Sequence, residues 1–227
     1  MGVVPARIQV CRTWRPPDVC GVSGYSGTRP GRARHPSGRG VTTSPDHEKK
    51  LLRGRMRAAR LAHCAGIDSA AIAVPGSFAR LVEGRRVAGY VAMPGEADPV
   101  LLLQAAADAG ATLLLPHIAQ RGALMRFVAL GEVATGPYGV AQPLVADDAE
   151  PPDVVLAPLV AFDDRLMRLG QGGGHYDRAL AALPRTIVIG IAFAMQRVAS
   201  LPIDPWDVPL SGVITEQGLS WRSGATA

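Results

Sequence analysis

The sequence of 227 residues is poor in cysteine, in aromatic residues and in long apolar runs, and each shortage excludes a class of protein. Its three cysteines form an odd set without CxxC spacing, which argues against a disulfide framework or a zinc knuckle and favours a reducing, cytoplasmic setting. Aromatic residues make up 5%, too few for an aromatic-rich all-β sandwich. No run approaches about 18 apolar residues, so a membrane-spanning helix is not expected.

Acidic residues are scarce at one end only, and this explains the formal net charge of +5. Residues 1–45 contain seven arginines and one acidic residue, so the other 182 residues carry 17 basic and 18 acidic groups. That part of the chain has no basic surplus to hold a nucleic-acid backbone. We therefore expect no nucleic-acid partner.

Residues 1–45 also contain seven glycines and six prolines and show neither strand nor helix periodicity. This composition predicts a disordered Arg/Gly/Pro-rich extension. It lacks the continuous apolar segment of a secretory signal, while its arginines resemble those of an organellar transit peptide. An equally good interpretation is a start placed too far upstream, so that the segment is not made.

Residues 46–222 alternate between strand-like and helix-like patterns, which predicts one α/β domain. The predicted helices span about 45–64, part of 68–84, 98–109 and 172–183. The predicted strands span 87–93, 111–115, 124–130, 153–162 with a break at Pro158, 186–192 and a short last strand at 213–215. Such alternation favours three layers, with a largely parallel sheet flanked by helices and functional loops at the carboxyl ends of the strands.

The segment 162–178 carries the clearest chemical signal, because a glycine-rich turn follows a buried strand and leads into a helix. Its glycines allow positive φ angles and close approach to a ligand, and a helix N-terminus offers unpaired amides to an anion. Arg168 and Arg178 could bind phosphate oxygens, and Asp177 is a suitable ligand for Mg²⁺. The pattern lacks the Lys-Ser/Thr ending of a Walker A loop. We predict a nucleotide-phosphate site here.

The run Arg-Leu-Gly-Gln-Gly-Gly-Gly-His-Tyr-Asp-Arg at 168–178 closely resembles the signature of the 5-formyltetrahydrofolate cyclo-ligase family. The resemblance extends to Lys49 and Arg53 on the first helix, to the segment 90–96 that ends in Gly-Glu, to PYGVAQP at 137–143 and to 205–216. It covers about residues 46–220 in the right order. Gln142 and Gln171 depart from the family pattern, in which a glutamate and an aromatic or basic residue are usual.

The resemblance implies an ATP- and Mg²⁺-dependent enzyme that closes the ring of 5-formyltetrahydrofolate after phosphorylating its formyl oxygen. It implies Arg168 and Tyr176 as catalytic residues and Asp177 and Asp207 as metal ligands. It implies that the folate is bound by Val91, Met93, Glu96 and Tyr176. It implies that ATP is bound by Lys49, Arg53, Arg168, Leu169, Gly170, Gln171, Gly172, Gly173, Gly174, His175 and Tyr176. The expected partner is this small molecule, and we expect a monomer.

Other interpretations of these residues stay open at this stage. Lys49 and Arg53 could belong to a solvated helix face, Glu96 could cap the helix near 98, and Asp207 could be a turn residue. His175 is expected to pack or to form a hydrogen bond, and Trp206 and Trp221 to pack. For the whole chain, the alternatives are a non-catalytic ATP- or folate-binding relative with a basic recruitment arm, and a sugar-phosphate isomerase.

Overall fold

The computed structural model describes residues 45–67, 69–144 and 151–224. The predicted disorder of 1–45 therefore lies, except for Pro45, outside the described residues. The four α-helices of the described ranges are α1 (Pro45–Ala65), α2 (Phe78–Val82), α3 (Val100–Asp108) and α4 (His175–Ala181). All four predicted helices are confirmed, with ends that differ by a few residues. None of the helices in these ranges has the length and apolar character needed to cross a membrane.

Twelve strands follow the chain order of the described residues. They are β1 (Arg86–Ala88), β2 (Thr112–His117), β3 (Arg126–Ala129), β4 (Val133–Thr135), β5 (Ala141–Pro143), β6 (Val154–Pro158), β7 (Ala161–Asp163), β8 (Arg168–Leu169), β9 (Ile187–Ile191), β10 (Arg197–Val198), β11 (Gly212–Thr215) and β12 (Gly218–Trp221). Seven form one sheet in the order β12-β11-β9-β6-β1-β2-β3. Its five inner strands are parallel, and β12 and β3 are antiparallel edges.

The sheet is buried on both faces, as its near-continuous apolar strands require. One core cluster joins strand residues to Phe78 of α2 and Leu102 of α3. A second cluster joins the alternate strand residues to Leu180 of α4. In β6, for example, Val154 belongs to the first cluster and Val155 to the second. Helices therefore flank a mostly parallel sheet, and the predicted fold class is confirmed.

Much of helix α1 packs beside a small second sheet, β10-β7-β8, and its last turn contacts the first core cluster through Cys64. Met56 enters a cluster with Leu169 and Leu201, and burial of such side chains stabilises the fold by about 1.5–3 kcal/mol each. This contact fixes the position of α1 relative to the segment that follows Leu169. The basic residues of α1 thereby lie next to the glycine-rich turn.

The strand at 213–215 is confirmed, and one strand prediction was wrong in its extent. Strand β1 ends at Ala88 instead of Met93, because Tyr90 and Val91 are buried as the wall of a cavity and not as members of the sheet. The predicted run 153–162 is divided after Pro158 between β6 of the main sheet and β7 of the small one. The strand at 213–215 is not the last, because Gly218, with φ of +115°, reverses the chain into β12. The short strands β4, β5, β8 and β10 were not predicted, since two or three residues carry too little periodicity.

Candidate active site

Two adjoining cavities open at the carboxyl ends of β1, β2 and β6. The first, about 360 Å³, is lined mainly by apolar side chains, including Tyr90, Val91, Met93 and Met125, and we call it the apolar cavity. The second, about 320 Å³, is lined mainly by charged side chains, and we call it the charged cavity. The two cavities share the lining residues Arg168, Gly170, Gly174 and Asp177. Ligands in the two cavities would therefore meet at these four residues.

The glycine loop, residues 170–174, runs between the cavities. Gly172 and Gly174 have φ angles of +106° and +63°, which residues with a Cβ adopt only with strain. Gly174 is the N-cap of α4, and a Cβ there would lie 2.8 Å from Arg178 Nη1. Because α4 has only seven residues, the anion-binding capacity of the loop depends more on nearby arginines and loop amides than on a helix dipole.

Arg168 and Asp177 form an ion pair where the cavities meet. The guanidinium Nη2 donates to Asp177 Oδ1 at 2.7 Å, and the Val208 amide donates to the same oxygen at 3.3 Å. Arg168 is 7% exposed, and its burial lowers its pKa from the ordinary value although Asp177 opposes the shift. Both described hydrogen bonds of Asp177 thus use Oδ1, and neither is to a backbone amide of α4.

Lys49 is buried between two carboxylates of the charged cavity. Its Nζ lies 2.7 Å from Asp204 Oδ2 and 2.6 Å from Asp207 Oδ2. Burial lowers the pKa of Lys49, but the hydrogen bonds to both aspartates outweigh burial and the net shift is upward. Lys50 is exposed, so the structure distinguishes two neighbouring lysines that the sequence could not separate. Lys49 is not part of a solvated helix face.

Two further arginines of α1 hold the glycine loop by its backbone. Arg53 Nε donates to the Gly170 carbonyl at 2.9 Å, and Arg57 Nη2 donates to the Gln171 carbonyl at 2.8 Å. Arg57 also donates to Gln171 Oε1. Arg53 was a predicted site residue, whereas Arg57 was not predicted, because a lone arginine on a helix gives no signal in the sequence. The loop conformation therefore depends on a helix more than a hundred residues away in the chain.

Glu96 lines the apolar cavity and is 5% exposed. Its Oε2 accepts from the Met93 amide at 3.1 Å, and its Oε1 accepts from Gln171 Nε2 at 2.7 Å. Arg60, also buried, lies 3.9 Å from Glu96 Oε1 and offsets its charge. Asp98, not Glu96, accepts from the Val100 amide at the start of α3. The buried carboxylate is thus placed beside a cavity and not at a helix cap.

Tyr176 and His175 also line the apolar cavity. Among the described residues, the buried Tyr176 hydroxyl has no hydrogen-bond partner, and burial raises its pKa well above the ordinary value. Its ring lies 5.8 Å from Arg168 Cζ. The Arg178 guanidinium donates to His175 Nδ1 at 3.2 Å, and the His175 ring contacts the Tyr138 ring, as expected for a residue that packs or forms a hydrogen bond.

The predicted site residues are distributed between the cavities as follows. Val91, Met93, Glu96, Gln171, Gly173, His175 and Tyr176 line the apolar cavity, Lys49, Arg53, Leu169, Gly172 and Asp207 line the charged one, and the four shared residues line both. Sequence reasoning missed Asp204 beside Lys49 and the position of Trp206, which is exposed instead of packed. Gln142 pairs through its amide with both backbone groups of Ile118.

The charged cavity contains carboxylates that could bind a metal ion together with a phosphate. In the described ranges no group of three or more His, Cys, Asp or Glu side chains could hold one. Mg²⁺ in nucleotide sites is usually bound by one or two carboxylates together with phosphate oxygens, and Asp177 and Asp207 both line the charged cavity. The hydrogen bonds of Asp177 use Oδ1 and those of Asp207 use Oδ2, so each has a second oxygen. The residues fit such an ion.

An apolar cavity joined to a charged one, at the carboxyl edge of a parallel sheet, defines an α/β protein arranged to bring two different ligands together. The sequence model of the 5-formyltetrahydrofolate cyclo-ligase family matches residues 45–216, and the chain belongs to this family. The predicted family is confirmed. The family is one of ligases, so the prediction of an enzyme is confirmed at that level.

Relatives and solved structures agree with this assignment. The chain is 34% identical to the 5-formyltetrahydrofolate cyclo-ligase of Escherichia coli over 149 residues, which cover 61% of this chain and 82% of the relative. It is 31% identical to the 5-formyltetrahydrofolate cyclo-ligase of Mycolicibacterium smegmatis, and the match covers 59% of this chain and 75% of the relative. A 5,10-methenyltetrahydrofolate synthetase from Aquifex aeolicus has a similar fold, with a TM-score of 0.58, 24% identity and coverage of 79% and 95%. The 5,10-methenyltetrahydrofolate synthetase from Mycoplasma pneumoniae has a TM-score of 0.54 and 24% identity, and the match covers 74% of this chain and 99% of that structure.

Proposed function

We propose that this protein converts 5-formyltetrahydrofolate to 5,10-methenyltetrahydrofolate while ATP is converted to ADP and phosphate. One observation carries the proposal beyond the family name: four residues, Arg168, Gly170, Gly174 and Asp177, line both cavities. A folate in the apolar cavity and the phosphates of ATP in the charged cavity would meet at this junction. The reaction requires such a meeting, because a formyl oxygen is a poor leaving group until it is phosphorylated.

The apolar cavity suits a pterin ring. Tyr90, Val91 and Met93 offer apolar surface, and Glu96 offers a buried carboxylate to the N–H donors of the heterocycle. Charge-assisted hydrogen bonds of this kind are stronger than neutral ones and fix the orientation of a ligand. Tyr176 lines the same cavity, and its hydroxyl, which has no partner among the described residues, would lie near the formyl group.

The charged cavity suits the phosphates of ATP. Lys49, Arg53 and Arg168 supply positive charge, and the glycine loop allows its backbone to approach phosphate oxygens closely. Asp177 and Asp207 would hold Mg²⁺, which when bound would neutralise charge on the phosphates. In this structure, Asp207 is paired with Lys49.

The proposed chemistry needs positioning and charge neutralisation more than a strong base. The formyl oxygen attacks the γ-phosphorus and ADP leaves, which gives an activated C–O–phosphate group. N10 then adds to the same carbon and loses its proton to solvent, and phosphate departs with the former formyl oxygen. Arg168, at the junction of the cavities, would stabilise the phosphoryl group during its transfer.

The decisive experiment follows the absorbance of the methenyl product formed from 5-formyltetrahydrofolate by the purified full chain. We expect growth of the product only when ATP and Mg²⁺ are both present, with one ADP formed per product. Binding of both ligands without turnover would support the non-catalytic alternative instead. Conversion of a sugar phosphate without ATP would support the isomerase alternative. Cytoplasmic location and a monomeric state stay predictions.

A further inference from the structure

Trp206 occupies an unusual position at the rim of the charged cavity. It is 69% exposed, whereas Trp221 is packed against the core. An exposed indole leaves a large apolar surface in water, an arrangement that proteins often use to bind a ligand. Its position beside a cavity for charged groups requires an explanation from the site itself.

The exposure of Trp206 does not come from a loose loop. The Asp207 amide donates to the Asp204 carbonyl at 3.1 Å, and the Asp204 amide donates to Asp207 Oδ2 at 2.8 Å, which closes a turn around Trp206. Pro205 restricts the backbone inside this turn. Lys49 ties both aspartates to helix α1. The turn that carries the indole is therefore held in place by two hydrogen bonds and two ion pairs.

The charged cavity offers an aromatic ligand group a flat side chain to contact at Trp206. Its charged lining residues are Asp46, Lys49, Arg53, Arg168, Asp177, Arg178, Asp204 and Asp207. Among the residues that line it, Trp206 is the one aromatic side chain. A nucleotide carries an anionic chain at one end and a flat, aromatic base at the other, so charged groups and Trp206 match its two parts.

We propose that Trp206 is the platform on which the base of the nucleotide stacks while its phosphates lie against the glycine loop. This inference rests on the proposed function, because it assumes that ATP binds in the charged cavity. Stacking on an indole requires only a flat π face and no base-specific hydrogen bond. Trp206 therefore contributes affinity for the base with little discrimination between purines.

The test compares two probes that differ by the nucleoside alone. Binding of ATP and of inorganic tripolyphosphate, each with Mg²⁺, is measured by calorimetry on the full chain and on Trp206→Ala. We expect Trp206→Ala to weaken ATP binding by about five- to one-hundred-fold and to change tripolyphosphate binding by less than about twofold. Trp206→Phe keeps an aromatic face and is expected to recover most of the ATP affinity.

Leu124 provides a matched control, because it is 68% exposed and lies outside both cavities. Leu124→Ala should leave the binding of both probes unchanged. An equal loss of ATP and tripolyphosphate binding in Trp206→Ala would overturn the inference, since Trp206 would then act by supporting the turn and Lys49. Unchanged ATP affinity would overturn the inference alone. Failure of the unsubstituted chain to bind ATP would overturn the proposed function and the inference together.

Discussion

Gln171 Nε2 donates a hydrogen bond to Glu96 Oε1 at 2.7 Å, and this contact joins the glycine loop to the wall of the apolar cavity. Gln171 is in turn held by Arg57 through both its side chain and its carbonyl. The proposed folate-binding carboxylate and the proposed phosphate-binding loop therefore share one polar network.

Glu96→Gln is a test of folate binding at nearly unchanged side-chain size, although its single acceptor oxygen can serve the Met93 amide or Gln171 Nε2 but not both. Glutamine keeps an acceptor oxygen but loses the negative charge that would bind pterin N–H donors. We expect the KM for 5-formyltetrahydrofolate to rise by about ten-fold or more, while the KM for ATP stays within about twofold. Steady-state kinetics checks this, with the exposed Glu83→Gln as control. A change in the ATP constant instead would assign Glu96 to the nucleotide.

Arg168→Lys and Asp177→Asn separate charge from geometry at the junction of the cavities. Lysine keeps the positive charge of Arg168 but loses its planar fork, and asparagine keeps the size of Asp177 but loses the charge that would hold Mg²⁺. We expect kcat to fall by about 100-fold or more in both. The measurement is single-turnover product formation across a range of Mg²⁺ concentrations.

Folding of both variants is checked by thermal unfolding, and Arg197→Lys, in an exposed ion pair with Asp164, is the matched control. Near-normal turnover of Asp177→Asn at low Mg²⁺ would rule out its metal role. Unchanged single-turnover rates in Arg168→Lys would mean that the guanidinium fork is not used in the transfer.

Tyr176→Phe and Tyr90→Phe form a matched pair for stability. The buried Tyr90 hydroxyl donates to the Ala97 carbonyl, whereas the Tyr176 hydroxyl has no partner among the described residues. We expect Tyr90→Phe to lower the free energy of unfolding by about 1–2 kcal/mol and Tyr176→Phe to leave it unchanged or slightly higher. Urea denaturation at neutral pH measures both. An equal loss in the two variants would contradict this difference in hydrogen bonding.

Alkaline pH should destabilise the protein through the same two tyrosines. Burial raises the pKa of both hydroxyls in the folded state well above the ordinary value near 10. Their contribution to stability is therefore full below pH about 10 and is lost as pH rises from there towards the folded-state pKa. We expect the slope of unfolding free energy against pH above 10 to be shallower in each Phe variant. A slope identical to that of the unsubstituted chain would mean that the two tyrosine hydroxyls do not cause the loss of stability at alkaline pH.

Gly174→Ala and Gly84→Ala separate backbone strain from ligand contact. The two glycines have nearly equal φ angles of +63° and +62°, so the backbone strain of an alanine should cost each about 1 kcal/mol of stability. At Gly174 the new Cβ must also displace the flexible end of Arg178, whereas at Gly84 it meets open space. Only Gly174 lies in the glycine loop, and we expect a loss of ATP affinity of about ten-fold or more in Gly174→Ala alone. Calorimetry with ATP checks this. Equal ATP affinity in both variants would mean that the loop does not approach the phosphates.

A chain that begins at Val41 tests the predicted domain division. If residues 46–222 form the catalytic domain, removal of the preceding segment should leave the thermal unfolding temperature unchanged and turnover within a few-fold. The full chain is the control. Loss of folding or of turnover would assign a structural role to the removed residues.

Local patterns predicted much of the fold. Helix α1, the buried strands around β6 and the glycine loop all follow from periodicity or from glycines within a short window. The segment 89–93 was wrongly predicted as a strand, because an apolar run fits a strand and a cavity wall equally well. Trp206 was also wrongly predicted to pack, because packing is the usual state of tryptophan and its exposure depends on where the turn at 204–207 is placed.

The sequence by itself determined the alternation of strands and helices, the position of the glycine loop and the residue types beside it, because these depend on neighbours in the chain. The tertiary structure alone decided that Lys49, not Lys50, pairs with Asp204 and Asp207, some 155 and 158 residues away. It also decided that Gln171 contacts Glu96. Such contacts depend on how helix α1 and the small sheet pack beside the main sheet, and long-range packing leaves no periodic signal in a single sequence.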